Sequence, residues 1–171
     1  MIRFRVHGNV PRTCYGEKVY GLISRNTFYG LHRQVPRKDF DRECSKSTLL
    51  FFTEVRDAQK FAQYLDTYYK TGRSINRISQ ENTVTLEMDT KLAKVSNQLV
   101  AKAPVRIEPL MFSDVEQICL LQYLDLYLSY GFRAGNPSTH EITLDCYEYR
   151  SMDPPSRPLI NKLMEDLLRK K

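Results

Sequence analysis

The chain is poor in the residues from which phosphate-binding, metal and nucleophile motifs are built. It has only seven glycines in 171 residues, and none form a Gly-rich loop or a Gly-x-x-x-x-Gly-Lys-Ser/Thr phosphate cradle. Gly131 and Gly135 make the most loop-like pair, which reads as a helix end and a turn. The three histidines, His7, His32 and His140, are scattered, and there is no His-x-x-x-His or Cys-x-x-Cys spacing for a metal. Gly-x-Ser-x-Gly is missing, and the context suggests no Cys–His pair. The four cysteines are widely spaced, with Cys119 and Cys146 on apolar phases, so they read as small buried thiols and not as a disulfide framework. No apolar run approaches the roughly 20 residues of a membrane span. The N-terminus alternates polar and apolar residues with no long apolar stretch after it, which predicts no secretory signal and an intracellular origin.

What is present is a strong internal likeness. Leu50-Phe51-Phe52-Thr53-Glu54-Val55 returns as Leu110-Met111-Phe112-Ser113-Asp114-Val115, and Gln63-Tyr64-Leu65-Asp66 as Gln122-Tyr123-Leu124-Asp125. Gly72 returns as Gly131, and Val84 to Met88 as Ile142 to Cys146. The offset drifts only from 60 to 59 to 58 residues, as a duplicated structural unit would.

Each copy reads as strand, helix, strand. Leu49 to Thr53 is a short apolar strand, and a helical stripe runs from Val55 through Ala58, Phe61, Ala62, Leu65 and Tyr68 to Gly72. Val84, Leu86 and Met88 then alternate with polar residues as in a half-buried strand. In the second copy, Ser113 with Glu116 forms a capping-box pattern, and the helix is expected to reach about Tyr130. Ile142, Leu144 and Cys146 supply its last strand. Two βαβ units predict an α+β ferredoxin-like sandwich, a four-stranded antiparallel sheet with two helices on one face.

The domain organisation follows. Residues 1–47 are a basic N-terminal extension, a β-hairpin plus loop, with Val19–Leu22 and Phe28–Leu31 as the hairpin strands. Residues 48–150 hold the duplicated core, with units at about 48–90 and 105–150. Residues 151–171 form a C-terminal amphipathic helix with Leu159, Ile160, Leu163, Met164, Leu167 and Leu168 as its stripe.

Two features point outward. The second expected helix is apolar on every side, so the C-terminal helix or a partner protein must cover it. Leu120, Leu126, Leu128, Leu163 and Leu167 are the candidate interface residues. Charge is also uneven. Residues 1–47 hold ten Lys/Arg against four Asp/Glu, while residues 48–171 hold sixteen of each, so the whole net charge of +6 lies in the extension. Arg3, Arg5, Arg12, Arg33, Arg37, Lys38 and Arg42, interleaved with tyrosines, are candidates for binding nucleic acid or another polyanion. A solvated basic face explains them equally well.

Functionally, the sequence suggests a non-enzymatic structural or interaction protein working with other protein subunits in a larger assembly. A viral particle, as a minor capsid or virion component, or a ribonucleoprotein fits that description. Nucleic-acid binding through residues 1–47 is the alternative. A third reading is a divalent-metal enzyme using Glu87, Asp89 and Asp145, which share one strand phase. No catalytic residue, resident metal or cofactor is assigned.

Overall fold

The computed structural model describes residues 2–24, 27–36, 43–69, 94–96, 105–135, 141–153 and 157–169. Strands β1 (Ile2–Asn9), β2 (Lys18–Ser24), β3 (Thr27–Pro36), β4 (Glu43–Phe52), β5 (Lys94–Ser96), β6 (Val105–Met111), β7 (Asp125–Ala134) and β8 (Ile142–Tyr149) join in one mixed sheet. Seven of them follow the order β1-β8-β7-β4-β2-β3-β5, and β6 pairs with β2. Helices α1 (Val55–Tyr69), α2 (Phe112–Gln122) and α3 (Arg157–Arg169) complete the described elements, with a single 3-10 turn at Arg12–Cys14.

Strand alternation divides the core in two. On one face, Leu49 and Phe51 of β4 and Leu126 and Leu128 of β7 pack with Val115 and Cys119 of α2. On the other, Leu50, Phe52 and Tyr127 pack with Ala58, Phe61 and Leu65 of α1. The two helices therefore cover opposite faces.

This overturns the ferredoxin-like sandwich. Among the described residues the sheet has eight strands, it is mixed, and its two packed helices do not share a face. The physical reason lies at Tyr123. The expected helix to Tyr130 stops at Gln122, where Tyr123 turns left-handed (φ 55°, ψ 42°) and its N–H caps the Cys119 carbonyl. Five consecutive buried residues, Asp125 to Ser129, then form a central strand between β4 and β8. A strand covered on both faces reads as a continuous apolar run, which a helical reading absorbs easily. Gly131 is not a helix cap but lies in β7 at an irregularity in its pairing with β8. Ser113 is likewise inside α2, whose N-cap position is Met111 with no side-chain cap bond.

The internal likeness is therefore one of sequence more than of folded unit. Gln63-Tyr64-Leu65-Asp66 lies within α1, but Gln122-Tyr123-Leu124-Asp125 ends α2, turns, and starts β7. Phe52 ends a strand, but its counterpart Phe112 begins a helix. One symmetric trait remains: β4 and β6 flank β2, both antiparallel to it, and Tyr20 pairs with Phe52 on one side and Pro109 on the other. The expected strand over 84–88 and the expected cap at Gly72 lie outside the described residues.

The N-terminal strands belong to this same sheet. β1 lies parallel to β8, with Ile2 opposite Ile142 and Phe4 opposite Leu144. Among the described residues β2 and β3 pair at Ile23–Phe28 and Ser24–Thr27 and then separate, so of the expected hairpin strands Val19–Leu22 lies along β6, and Gly30 and Leu31 lie along β4. β3 continues along β4, and β2 continues along β6.

Candidate interaction surfaces

Among the described residues, the C-terminal helix presents a long exposed apolar stripe. In α3, Leu159, Ile160, Leu163, Met164, Leu167 and Leu168 are between 39% and 67% exposed. Successive pairs fall one turn apart, so all six lie on one side of the helix. Leu120 and Leu121 of α2 are also more than half exposed. Of the two covers open for α2, the C-terminal helix is not the one seen: Leu120 and Leu121 stay exposed, as does the α3 stripe.

Of the five candidate interface leucines, Leu120, Leu163 and Leu167 are at the surface. Leu126 and Leu128 are not. Both are fully buried on β7 against β4 and α2, because that segment is a central strand and not an outer helix face.

The basic candidates also separate. Arg3 and Arg5 stand on the exposed face of β1, and Arg12 is exposed in the 3-10 turn. Arg3 reaches Glu141 at 3.4 Å, while Arg5 and Arg12 make no ion pair among the described residues. Arg37, Lys38 and Arg42 lie outside the described residues. Arg33 is a correction in role. Its guanidinium donates to Thr48 Oγ1 at 2.8 Å, to Asp125 Oδ2 at 2.8 Å and to the Tyr127 hydroxyl. Those bonds hold β3, β4 and β7 together and leave little for a polyanion.

Beside Arg3 and Arg5, strand pairing assembles a group that no single sequence segment displays. His7 of β1 and Arg133 of β7 each meet Asp145 of β8 at 2.9 Å. The hydrogen bond from His7 draws the Asp145 carboxyl below its ordinary range; burial opposes this, and Arg133 adds to it. Tyr130 stacks on Tyr147 with ring centroids 4.3 Å apart, and His7 lies 6.0 Å from Tyr130. The divalent-metal reading requires Asp145 to turn its carboxylate to a cation beside Glu87 and Asp89. Asp145 is engaged by two basic side chains, and Glu87 and Asp89 lie outside the described residues. Among the described residues no group of three potential metal ligands forms.

The two buried thiols are poor nucleophiles. Cys119 and Cys146 are free and buried. Burial pushes Cys146 up to about 12 and Cys119 higher still, with nearby carboxylates adding to both.

A buried charge cluster is the other arrangement that sequence reading missed. Asp125 accepts from Lys46 Nζ at 2.9 Å, from Arg33 at 2.8 Å and from the Ser151 N–H at 3.1 Å. Lys46 also donates to the Ser151 carbonyl at 2.9 Å and approaches Asp153 at 3.4 Å. The signal was a lone carboxylate inside the apolar run Leu124 to Leu128, since a buried charge requires a partner. The cluster is saturated by its own members, which suits a structural tie between strands.

No protein-family model matches the chain, and the comparisons with curated proteins and with solved structures found no match.

Proposed function

We propose that this chain is a non-enzymatic structural or interaction protein, a subunit of a larger assembly such as a viral particle or a ribonucleoprotein. The observation that carries this reading is the uncovered apolar stripe of α3. Six large apolar side chains on one side of a helix gain nothing in water and gain about 25 cal/mol for each Å2 of apolar surface that a partner removes from it. Light scattering after size exclusion, together with binding of an apolar dye, tests the reading. A larger species, or a monomer that binds dye through α3, is expected. A stable monomer with no dye binding would remove it.

A second reading, nucleic-acid binding, is favoured by the β1–β8–β7 face. Arg3, Arg5 and Arg133 lie there with the stacked Tyr130–Tyr147 pair, cations for phosphates and rings for bases. It predicts binding to single-stranded oligonucleotides that weakens steeply with salt and is reduced by Arg5→Glu. Salt-independent binding, or none, would remove it.

A further inference from the structure

We propose that the occupant of the α3 stripe is α3 of a second copy of this chain, packed antiparallel about a two-fold axis. This rests on the assembly reading above and names the partner within it.

The first support is the order of the stripe. The positions of Leu159, Ile160, Leu163, Met164, Leu167 and Leu168 are spaced symmetrically about the point between Leu163 and Met164, so apolar positions recur at the same intervals in either direction. An antiparallel copy centred there sets Leu159 level along the axis with Leu168 of the second copy, Ile160 with Leu167 and Leu163 with Met164, so apolar residues meet apolar residues along the whole contact. A two-fold contact requires such self-complementarity, because one patch must serve both partners.

The second support is charge. At 100° per residue, Lys162 and Asp166 lie one turn apart on one flank of the stripe, and Asn161 and Glu165 lie one turn apart on the other. Antiparallel packing brings each flank against the same flank of the other copy, reversed. Lys162 then faces Asp166 of the second copy, twice, and Asn161 faces Glu165, twice. Parallel packing would bring opposite flanks together and set Asp166 beside the other Glu165, carboxylate against carboxylate. Among the described residues, Lys162, Glu165 and Asp166 make no ion pair.

Two helices of 13 residues make a small contact, below the ~1,200 Å2 of the smallest standard interfaces, and micromolar dissociation is expected.

The test uses sedimentation of the full chain over a concentration series. Wild type is expected to dimerise, and Ile160→Glu with Leu167→Glu to abolish the dimer. Lys162→Asp and Asp166→Lys are each expected to weaken self-association about tenfold, through like charges on the facing flanks. Mixed together, those two variants should form a one-to-one heterodimer at least as tight as the wild-type dimer. Repulsion within a single helix would not produce that result. A dimer insensitive to Ile160→Glu and Leu167→Glu, or no heterodimer on mixing, overturns the proposal. So does a wild-type monomer whose α3 stripe binds dye, although that outcome leaves the assembly reading standing. A monomer with no dye binding overturns both.

Discussion

Lys46 and Asp125 form a 2.9 Å ion pair in which the side chains are 3% and 2% exposed, respectively. The pair joins β4 to the first residue of β7, where Thr48 and Asp125 are in register. Arg33 from β3 and the chain after β8 close around the same carboxylate. Removing one partner leaves the other as an uncompensated buried charge, which costs about 3–5 kcal/mol. Asp125→Ala is therefore expected to lower unfolding stability by about that amount in urea titrations. Lys46→Met combined with Asp125→Leu should cost much less than the sum of the single changes. A loss below 1 kcal/mol for Asp125→Ala would show that the pair is not sealed.

Gly21 sits between β4 and β6, opposite Phe51 and Glu108. A Cβ added there would come within 2.7 Å of the Phe51 ring carbon Cζ and 2.8 Å of Cε2. Phe51 is fully buried and has little room to withdraw. Gly21→Ala is expected to cost about 1–3 kcal/mol through overpacking. Adding Phe51→Leu, which removes the ring, should recover part of the cost of the glycine change. Strict additivity of the two changes in denaturation experiments would contradict the close approach.

Tyr123 explains both what the sequence reveals and what it hides. The short strands in residues 1–47, the helix from Val55 and the C-terminal helix all follow from local periodicity, and each appears among the described residues. The α2-to-β7 switch does not. A left-handed cap is normally marked by glycine, and here a tyrosine holds φ 55° with no glycine until Gly131. The apolar residues on either side fit helical and strand spacing alike, and the choice is made by β4 and β8, which lie far away in sequence. The candidate surfaces divide in the same way. The α3 stripe is local and legible, whereas His7, Arg133 and Asp145 meet only through strand pairing. The left-handed turn predicts a contrast. Tyr123→Val should destabilise by about 1–2 kcal/mol, because a β-branched residue tolerates this backbone poorly. Tyr123→Gly should cost far less or give a slight gain. Equal losses in thermal unfolding would argue against the turn.

Two carboxylates give stability opposite pH dependences. Glu108 on β6 is buried, and among the described residues its Oε1 has no hydrogen-bond partner, while Oε2 takes Arg106 Nε at 3.1 Å. Burial raises its pKa above the ordinary 4.5, only partly offset by Arg106. The folded protein therefore holds this proton more tightly than the unfolded chain. Its stabilising effect is full below about pH 4.5 and is lost as pH rises through the raised value. Asp145 behaves in the reverse sense. The His7 bond lowers its pKa, so its contribution is present above about pH 4 and is lost as pH falls through the depressed value. Glu108→Gln is expected to gain stability relative to wild type as pH rises from 4 to 8, since the neutral amide has no charge to desolvate. His7→Ala should move the Asp145 titration back toward ordinary carboxylates, followed by NMR of the side-chain carboxyl, and should reduce the loss of stability in acid. If the Glu108→Gln and wild-type stability curves stay parallel from pH 4 to 8, Glu108 carries no raised pKa. An unmoved Asp145 titration in His7→Ala would show that the 2.9 Å contact does not hold in solution.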